Sequence, residues 1–390
     1  MSSPLVVFYV SGHGFGHASR DIEVINALHA ATPGVRIAVR TSAPRWLFDL
    51  TLRAPVTWLP AECDTGVVQI DSLRLDAPET IRRADAFTAG LADKAASDAL
   101  LLRELGVTLV IGDIPPLAFL AAHVAGLPSV ALGNFTWDWI YAAYPDELAA
   151  HPALLERIRS AYACAARALR LPLGGGFDAF GRVDAVPFIA RRSARTRDAV
   201  RERFGLPASG RLVLASFGGY GLHDIDLGAL ATLRRYTVVV TANVQAPRRG
   251  DDPRGERADD RTAGVADLPD TVRWIDERAI YAAGYRYEDL VRAVDVVATK
   301  PGYGIIAECI ANGTALLYTS RGRFVEYDVM VREMPRYLRC GFISNESLYA
   351  GAWEPALDAV LAQGEPPEQP RVDGAEIVAR MIADALGVSP

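Results

Sequence analysis

Residues 6–28 read VVFYVSGHGFGHASRDIEVINAL, and this stretch decides the fold. Val6 to Val10 form an apolar run rich in β-branched and aromatic residues, which is typical of a buried parallel strand. Apolar positions return at Ile22, Ile25 and Leu28 with the spacing of a helix face. The glycines between these runs lie where a chain turns sharply or lets a ligand approach its backbone. The stretch therefore predicts a strand, a glycine-rich turn and a helix, with a ligand held at the turn.

The chain has 390 residues, of which 50% are hydrophobic, and this size favours two domains over one. Its formal net charge is −6 and it contains no polybasic tract, so neither nucleic acid nor an anionic membrane is expected as a partner. The first apolar run, of about seven residues, is too short for a signal peptide core or a membrane span. We therefore expect a cytoplasmic protein without integral membrane contact.

Two residue types with distinctive chemistry are rare in this chain. The four cysteines form no Cys-x-x-Cys pair, which argues against a zinc site or a disulfide framework; they are Cys63, Cys164, Cys309 and Cys340. Lys94 and Lys300 are the only lysines, although arginine is abundant. A lysine retained in such a chain is a candidate for a role that requires lysine. Lys94 lies in a predicted solvent-facing helix, whereas Lys300 lies beside a glycine turn.

Strand-like and helix-like segments alternate along the chain, which indicates parallel α/β sheets. The alternation begins again after about residue 190, so we predict two Rossmann-like units, 1–190 and 191–372. A stretch dense in charge, Gly and Pro, residues 248–264, predicts a surface loop within the second unit.

The second unit has its own version of the opening motif, DVVATKPGYGIIAECIANG at residues 295–313. Glycines at a helix N-terminus expose backbone N–H groups that suit a phosphate, and Lys300 adds a positive charge beside them. Glu308 lies one helical turn further on, where its carboxylate can accept hydrogen bonds from sugar hydroxyls. A third glycine-rich turn, with Gly218 and Gly219, ends another predicted strand.

These turns do not match the common nucleotide-binding fingerprints. The first turn has Gly12, Gly14 and Gly16, which is not the Gly-x-Gly-x-x-Gly pattern, and no Gly-Lys-Ser/Thr sequence is present. This argues against a nicotinamide cofactor and against a P-loop. The informative feature is the combination of a His-bearing turn in the first unit with a Gly-Tyr-Gly turn and a helical glutamate in the second.

With these motifs the sequence resembles the GT-B glycosyltransferases, in which two Rossmann-like domains face each other across a cleft. GFGHASR, residues 14–20, is similar to the Gly-x-Gly-His-x-x-Arg turn of sugar-nucleotide enzymes in that superfamily, including the UDP-sugar hydrolase of the pseudaminic acid pathway. Together with residues 300–321, it also resembles the GT-B-like N-terminal portion of L-arabinokinase-type proteins. The resemblance spans nearly the whole chain, and it implies that the helix at 373–387 packs back on the first domain.

The resemblance implies that the second domain binds a nucleotide-sugar donor, UDP- or GDP-linked, and that the first binds the acceptor. In the donor site Gly302 and Gly304 meet the diphosphate, Glu308 the ribose, and Glu326 with Tyr327 the sugar. The other candidate donor-side residues are Gly14, Gly16, Arg20, Gly218, Gly219, Lys300 and Tyr303; the resemblance places Trp274 and Ile275 near the nucleobase. It implies no bound cofactor besides this co-substrate.

Glycosyl transfer requires a base near the nucleophile and stabilisation of the departing diphosphate. His17 is the predicted base, because an unperturbed imidazole titrates near neutral pH, and His13 is the alternative. Asp113 ends a strand of the same sheet and is placed to orient a histidine. The helix N-terminus and Lys300 would stabilise the diphosphate without a metal.

Each of these residues also has a structural interpretation. His17 can fill a helix turn, Asp113 can cap a Pro-Pro turn, and Glu308 can be a solvated helix residue. HDID at 223–226 has the Asp-x-Asp spacing of metal-dependent transferases, but an Asp before an apolar helix is more often an N-cap. The aromatic residues after the strand at 129–135 suit a core, or stacking on an acceptor if they line the cleft; they are Trp137, Trp139, Tyr141 and Tyr144.

Three functions remain open at this point: a glycosyltransferase, a nucleotide-sugar hydrolase or epimerase on the same fold, and a non-catalytic nucleotide-sugar binding protein. The histidine and the glycine turns occur together, which favours an enzyme, although a fold alone does not establish an activity. The donor base and sugar, the acceptor, the stereochemical outcome and the oligomeric state do not follow from the sequence.

Overall fold

The computed structural model describes residues 3–70, 74–217, 228–242 and 270–388, and its strands form two separate parallel sheets. The first sheet has seven strands in the order β3-β2-β1-β4-β5-β6-β7. These are β1 (Leu5–Val10), β2 (Arg36–Thr41), β3 (Val56–Pro60), β4 (Leu109–Asp113), β5 (Ser129–Phe135), β6 (Arg167–Gly175) and β7 (Val183–Ala185).

The second sheet has six strands in the order β10-β9-β8-β11-β12-β13, and its neighbouring strands are also parallel. Its strands are β8 (Arg211–Ser216), β9 (Tyr236–Ala242), β10 (Val272–Asp276), β11 (Val296–Thr299), β12 (Ala315–Tyr318) and β13 (Cys340–Phe342).

Helices connect the strands. In the first half of the chain they are α1 (Gly16–Ala31), α2 (Arg45–Thr51), α3 (Ala77–Ala89), α4 (Leu91–Glu104), α5 (Pro116–Ala125), α6 (Trp137–Ala142), α7 (Pro145–Leu148) and α8 (Leu154–Tyr162). In the second half they are α9 (Arg197–Arg203), α10 (Glu277–Ala282), α11 (Tyr287–Ala293), α12 (Tyr303–Asn312), α13 (Val325–Glu333), α14 (Asn345–Tyr349), α15 (Glu354–Leu361) and α16 (Gly374–Leu386).

The central strand β1 is buried on both faces, as its unbroken apolar run predicts. Val6, Phe8 and Val10 join one hydrophobic cluster, and Val7 and Tyr9 join the cluster on the other side of the sheet. Because helices cover both faces, only the ends of the strands are left for a ligand.

Both sheets reverse their strand order at one point, between β1 and β4 in the first and between β8 and β11 in the second. Open α/β sheets bind ligands in the crevice at the carboxyl ends of the strands on either side of such a point. Asp113 ends β4, and Lys300 directly follows β11. The predicted α/β fold with two Rossmann-like parallel sheets is thus confirmed.

The last helix, α16, returns to the first sheet and packs against α1. Val378 and Ile382 are buried in the same cluster as Ile22 and Ile25 of α1. At the start of α16 a glycine is required, because a Cβ on Gly374 would lie 2.4 Å from the carbonyl oxygen of Pro187. Helix α16 therefore stabilises α1, the helix that follows the first glycine turn.

Some predictions fall outside the described residues. These are the third glycine turn with Gly218 and Gly219, the HDID sequence at 223–226 and the charged loop at 248–264. Within the described ranges, no helix is both long enough and apolar enough to cross a membrane.

Candidate functional site

The backbone of the first glycine turn is accessible at Gly14 and Gly16. Gly14 has a φ of +66°, a value that disfavours a side chain, and nothing lies within 4 Å of a Cβ built on Gly14 or Gly16. Gly12 is required for a different reason, since its Cβ would lie 2.1 Å from Ser42 Oγ. Helix α1 begins at Gly16, so His17 belongs to its first turn and not to the loop before it.

His17 and Asp113 form a hydrogen-bonded pair at the carboxyl edge of the first sheet. His17 Nδ1 lies 2.8 Å from Asp113 Oδ1, and both residues are buried. An ionised carboxylate only accepts hydrogen bonds, so we assign the proton to Nδ1. Nε2 is then left with a lone pair. The predicted partnership of these two residues is therefore present, and Asp113 is not a cap of the Pro-Pro turn.

Arg20 completes this group from the next turn of α1. Its Nε donates to Asp113 Oδ2 at 2.8 Å and its Nη2 to Oδ1 at 2.6 Å, which is a bidentate pair. Its Nη1 donates to Asn134 Oδ1 at 2.9 Å, and its guanidinium lies 5.2 Å from the ring centre of Tyr303. Arg20 is buried. It therefore acts on Asp113 directly and has no exposed surface for a donor.

The charges in this group are strongly interdependent. Burial opposes ionisation of Asp113, but Arg20 and His17 outweigh it and lower the pKa of the carboxyl group. Asp21, next to Arg20, is also buried, yet neither of its carboxylate oxygens has a hydrogen-bond partner among the described residues. Burial and the charge of Asp113 raise the pKa of Asp21 well above its ordinary value. Only one of the two carboxyl groups is thus favoured as an anion.

Asn134 extends this hydrogen-bond network to the second domain. Its Nδ2 donates to Glu326 Oε1 at 2.9 Å, while its Oδ1 accepts from Arg20. Tyr303 provides a second connection, since its hydroxyl oxygen accepts from the backbone N–H of Ile189 at 3.0 Å. Asn134 was not among the predicted site residues, because an isolated Asn at a strand end carries no recognisable motif. A chain of hydrogen bonds through Asp113, Arg20 and Asn134 thus connects His17 to Glu326 of the second domain.

His13 occupies a different environment from His17. Burial, with the charges of His17, Arg321 and Lys300, lowers the pKa of His13 to about 3. Its ring meets Trp137 edge-on, with ring centres 5.7 Å apart, and packs so closely on Gly66 that a Cβ there would lie 2.5 Å away. His13 is therefore a fixed, neutral imidazole near the cations of the second domain.

Asp64 is a buried carboxylate of this site that the sequence did not reveal. Ser11 Oγ donates to its Oδ1 at 2.9 Å, and Trp137 Nε1 donates to its Oδ2 at 2.8 Å. Burial raises its pKa to about 6, although both hydrogen bonds and the charge of His17 oppose this effect. Asp64 thereby fixes the indole ring of Trp137, which lies beside both histidines.

The aromatic residues that follow β5 are mainly core residues. Trp137, Tyr141 and Tyr144 are at most 2% exposed, so stacking of an acceptor on these rings is not supported. Trp139 is half-buried and packs on Gly175. The core interpretation is therefore supported for three of these four residues.

The second glycine turn lies at the start of α12. Gly302 is the N-cap residue, and a Cβ on Gly302 or Gly304 would meet nothing within 4 Å. Glu308 is buried, so it is not a solvated helix residue. Arg191, in the segment between the sheets, donates to Glu308 Oε1, while Glu308 Oε2 has no partner among the described residues. One carboxylate oxygen of Glu308 is therefore left for a further hydrogen bond.

The other predicted donor residues in the described part of the chain lie on α13 and on β10. Glu326 is buried against Asn134, and Tyr327 is half-buried beside Tyr318. Trp274, on the edge strand β10, is 39% exposed, whereas Ile275 is buried in the hydrophobic core. In the described part of the chain, no three His, Cys, Asp or Glu side chains are grouped so that they could hold a metal ion.

Comparison with solved structures identifies the class of fold. A glycosyltransferase of kitacinnamycin aligns with a TM-score of 0.62 and 16% identity over 99% of this chain and 100% of its own. UGT2 of Phytolacca americana, solved with UDP-2-fluoroglucose and pterostilbene, aligns with a TM-score of 0.59 and 15% identity over 98% and 94%. The chain has the two-domain fold of the GT-B glycosyltransferases.

Sequence comparison adds one curated protein. The chain is 27% identical over 391 aligned residues to L-arabinokinase of Arabidopsis thaliana, an alignment that covers 97% of this chain. It spans about a third (34%) of the length of that relative. No protein-family profile matches the chain.

The buried ion pair between Arg20 and Asp113 gives a testable prediction. Arg20→Met leaves a buried carboxylate without its countercharge and should lower the free energy of unfolding by about 3–5 kcal/mol at neutral pH. Asp113 has a lowered pKa, so this stabilisation is present above the ordinary carboxyl pKa of about 3.9 and is lost as pH falls through the pKa of the folded state. Urea unfolding at several pH values measures it.

Arg82→Met is the matched control, because Arg82 pairs with Glu79 on the exposed face of α3. It should change stability little at any pH. An Arg20→Met protein as stable as the wild type at neutral pH would contradict the role of this ion pair.

Proposed function

We propose that this protein is a glycosyltransferase that moves a sugar from a nucleoside-diphosphate sugar to an acceptor hydroxyl or another nucleophile. The observation that carries the proposal is the His17–Asp113 pair, which leaves the lone pair of His17 Nε2 as the available base at the switch point of the first sheet. The shared fold supports it, because the similar structures are glycosyltransferases and one of them holds a UDP-sugar analogue.

The first step is removal of the acceptor proton. His17 Nε2 accepts this proton as the acceptor oxygen attacks the anomeric carbon, and the positive imidazolium that forms is stabilised by Asp113. Arg20 keeps Asp113 ionised and holds it in place. His13 is a poor alternative base, because a pKa of about 3 makes it a weak proton acceptor at neutral pH.

The second requirement is a binding site for the donor. Gly302 and Gly304 let the diphosphate approach the N-terminus of α12, where backbone N–H groups and the helix dipole favour an anion. Glu308 is assigned to the ribose, and its buried Oε2, which has no partner among the described residues, is the candidate acceptor. Glu326 and Tyr327 are assigned to the sugar, and the exposed ring of Trp274 to a uracil or guanine base.

Departure of the diphosphate completes the reaction. Negative charge develops on the oxygen that leaves the anomeric carbon, and the N-terminus of α12 with Lys300 stabilises it. This mechanism uses neither a metal ion nor a bound cofactor. A hydrolase would use water in place of the acceptor with the same groups.

Replacing the proposed base tests the mechanism. His17→Ala should reduce turnover about 10²–10⁴-fold, the usual contribution of general base catalysis, and should spare nucleotide binding because the donor contacts lie mainly in the other domain. His13→Ala should cost less, and Asp113→Asn should fall between them. The measurement is the rate of nucleoside diphosphate release from a donor found by thermal-shift screening, set beside nucleotide affinity.

His123→Ala is the control, since His123 is exposed on α5 and should leave the rate unchanged. A folded His17→Ala protein with wild-type turnover would eliminate His17 as the base.

The two lysines allow a matched test of the diphosphate site. Lys300→Ala should weaken UDP or GDP binding about tenfold to a hundredfold, because it removes a charge-assisted contact worth about 1.5–3 kcal/mol. Lys94→Ala removes an exposed lysine that lies over Phe87 on the other domain and should change nothing. Calorimetry measures both; equal affinities in the two variants would place the diphosphate elsewhere.

The absence of a metal requirement is tested by chelation. Excess EDTA should leave the rate of donor consumption unchanged, with a magnesium-dependent transferase as the positive control for chelation. Loss of turnover that magnesium or manganese restores would contradict the proposal and make the Asp-x-Asp sequence at 223–226 the candidate metal site.

A further inference from the structure

Arg321 lies in the loop that joins β12 to α13, and its side chain is directed at the second glycine turn. Its Nη1 donates a long hydrogen bond, 3.4 Å, to the carbonyl oxygen of Pro301, the residue that follows Lys300. Its guanidinium lies 3.9 Å from the ring centre of Phe324. Two contacts therefore hold this cation beside the turn at the start of α12.

Arg321 has no carboxylate partner among the described residues, in contrast to three other arginines near the domain boundary. Arg20 pairs with Asp113, Arg191 with Glu308 and Arg286 with Glu23. Among the residues that the structure describes, no carboxylate lies within ion-pair distance of the Arg321 guanidinium, which is half-buried. A guanidinium removed from water without a countercharge is unfavourable unless a ligand supplies the anion.

The positive charge of Arg321 affects the titration of His13, which belongs to the first domain. Together with Lys300 it lowers the pKa of His13, so both cations lie near the first domain's glycine turn. Burial lowers the pKa of Arg321 itself, and Glu326 and Tyr144 only partly oppose this effect. Glu326 is already hydrogen-bonded to Asn134. Arg321 and Lys300 therefore both place positive charge near His13.

We propose that Arg321 binds an oxyanion of the donor, either its distal phosphate or a carboxylate carried by the transferred sugar. The inference rests on the proposed function and adds a specificity-determining residue to it. Both anions present a pair of oxygens that can accept two parallel hydrogen bonds from the planar guanidinium of arginine. The distal phosphate lies on the leaving-group side of the glycosidic bond, whereas the carboxylate lies on the transferred sugar. Affinities for ligands that carry only one of these two groups therefore distinguish the sources.

The test compares Arg321→Gln, Arg321→Lys and the matched control Arg323→Gln. Arg323 is two residues away, and its side chain is 66% exposed and faces Glu147. If the distal phosphate is the ligand, Arg321→Gln should weaken UDP or GDP binding about tenfold to a hundredfold and leave UMP and GMP binding unchanged. Arg321→Lys should recover part of the loss, and Arg323→Gln should match the wild type.

A second pair of ligands tests the other source. If a sugar carboxylate is the ligand, Arg321→Gln should weaken binding of UDP-glucuronic acid by a similar factor, with UDP and UDP-glucose unaffected. If Arg321→Gln, folded by circular dichroism, matches Arg323→Gln with every ligand, the proposal is wrong.

Inorganic pyrophosphate separates this inference from the proposed function. A wild-type protein that binds no nucleoside diphosphate contradicts the proposed donor. If that protein still binds pyrophosphate, and Arg321→Gln but not Arg323→Gln loses the binding, the anion site is supported on its own. If the wild type binds neither, both proposals are wrong.

Discussion

The buried ion pair between Arg20 and Asp113 is the constraint on which the rest of the site depends. Both groups are removed from water, so each requires the other, and the bidentate geometry fixes their relative orientation. Because Asp113 stays ionised, it accepts a hydrogen bond from the Nδ1–H of His17 and leaves the lone pair on Nε2. Because Arg20 is fixed, its remaining nitrogen holds Asn134. One interaction thus determines both the tautomer of His17, the proposed base, and its connection to the second domain.

The position of the two domains relative to each other is held by side chains as well as by the connecting segment. Asn134 reaches Glu326 directly, and Glu23 of α1 pairs with Arg286 at 2.8 Å. Arg191 lies in the connecting segment itself and pairs with Glu308. Glu308 and Glu326 are also the proposed ribose and sugar ligands. The proposed function therefore implies that donor binding and domain position are coupled through these shared carboxylates.

The sequence predicted the parts of this molecule that depend on local pattern. The strand, turn and helix at 6–28, the second turn at 295–313 and the pairing of His17 with Asp113 all follow from periodicity, glycine position and strand ends. It did not predict Asn134 or Asp64 as members of the site. Asn134 and Glu326 are 192 positions apart, so their contact depends on how two domains meet. Asp64 acts through burial beside Trp137, and burial of a single acidic residue leaves no periodic signal.

His13 and His17, four positions apart, lie in different electrostatic environments. His17 has a carboxylate behind it, whereas His13 lies near Lys300 and Arg321 and remains neutral. In the proposed mechanism Asp113 stabilises the proton that His17 gains, and Lys300 with Arg321 lies near the site proposed for the departing diphosphate. The carboxylate behind the proposed base belongs to the first domain, and these two cations belong to the second. The proposed site is therefore complete only when the two glycine turns face one another.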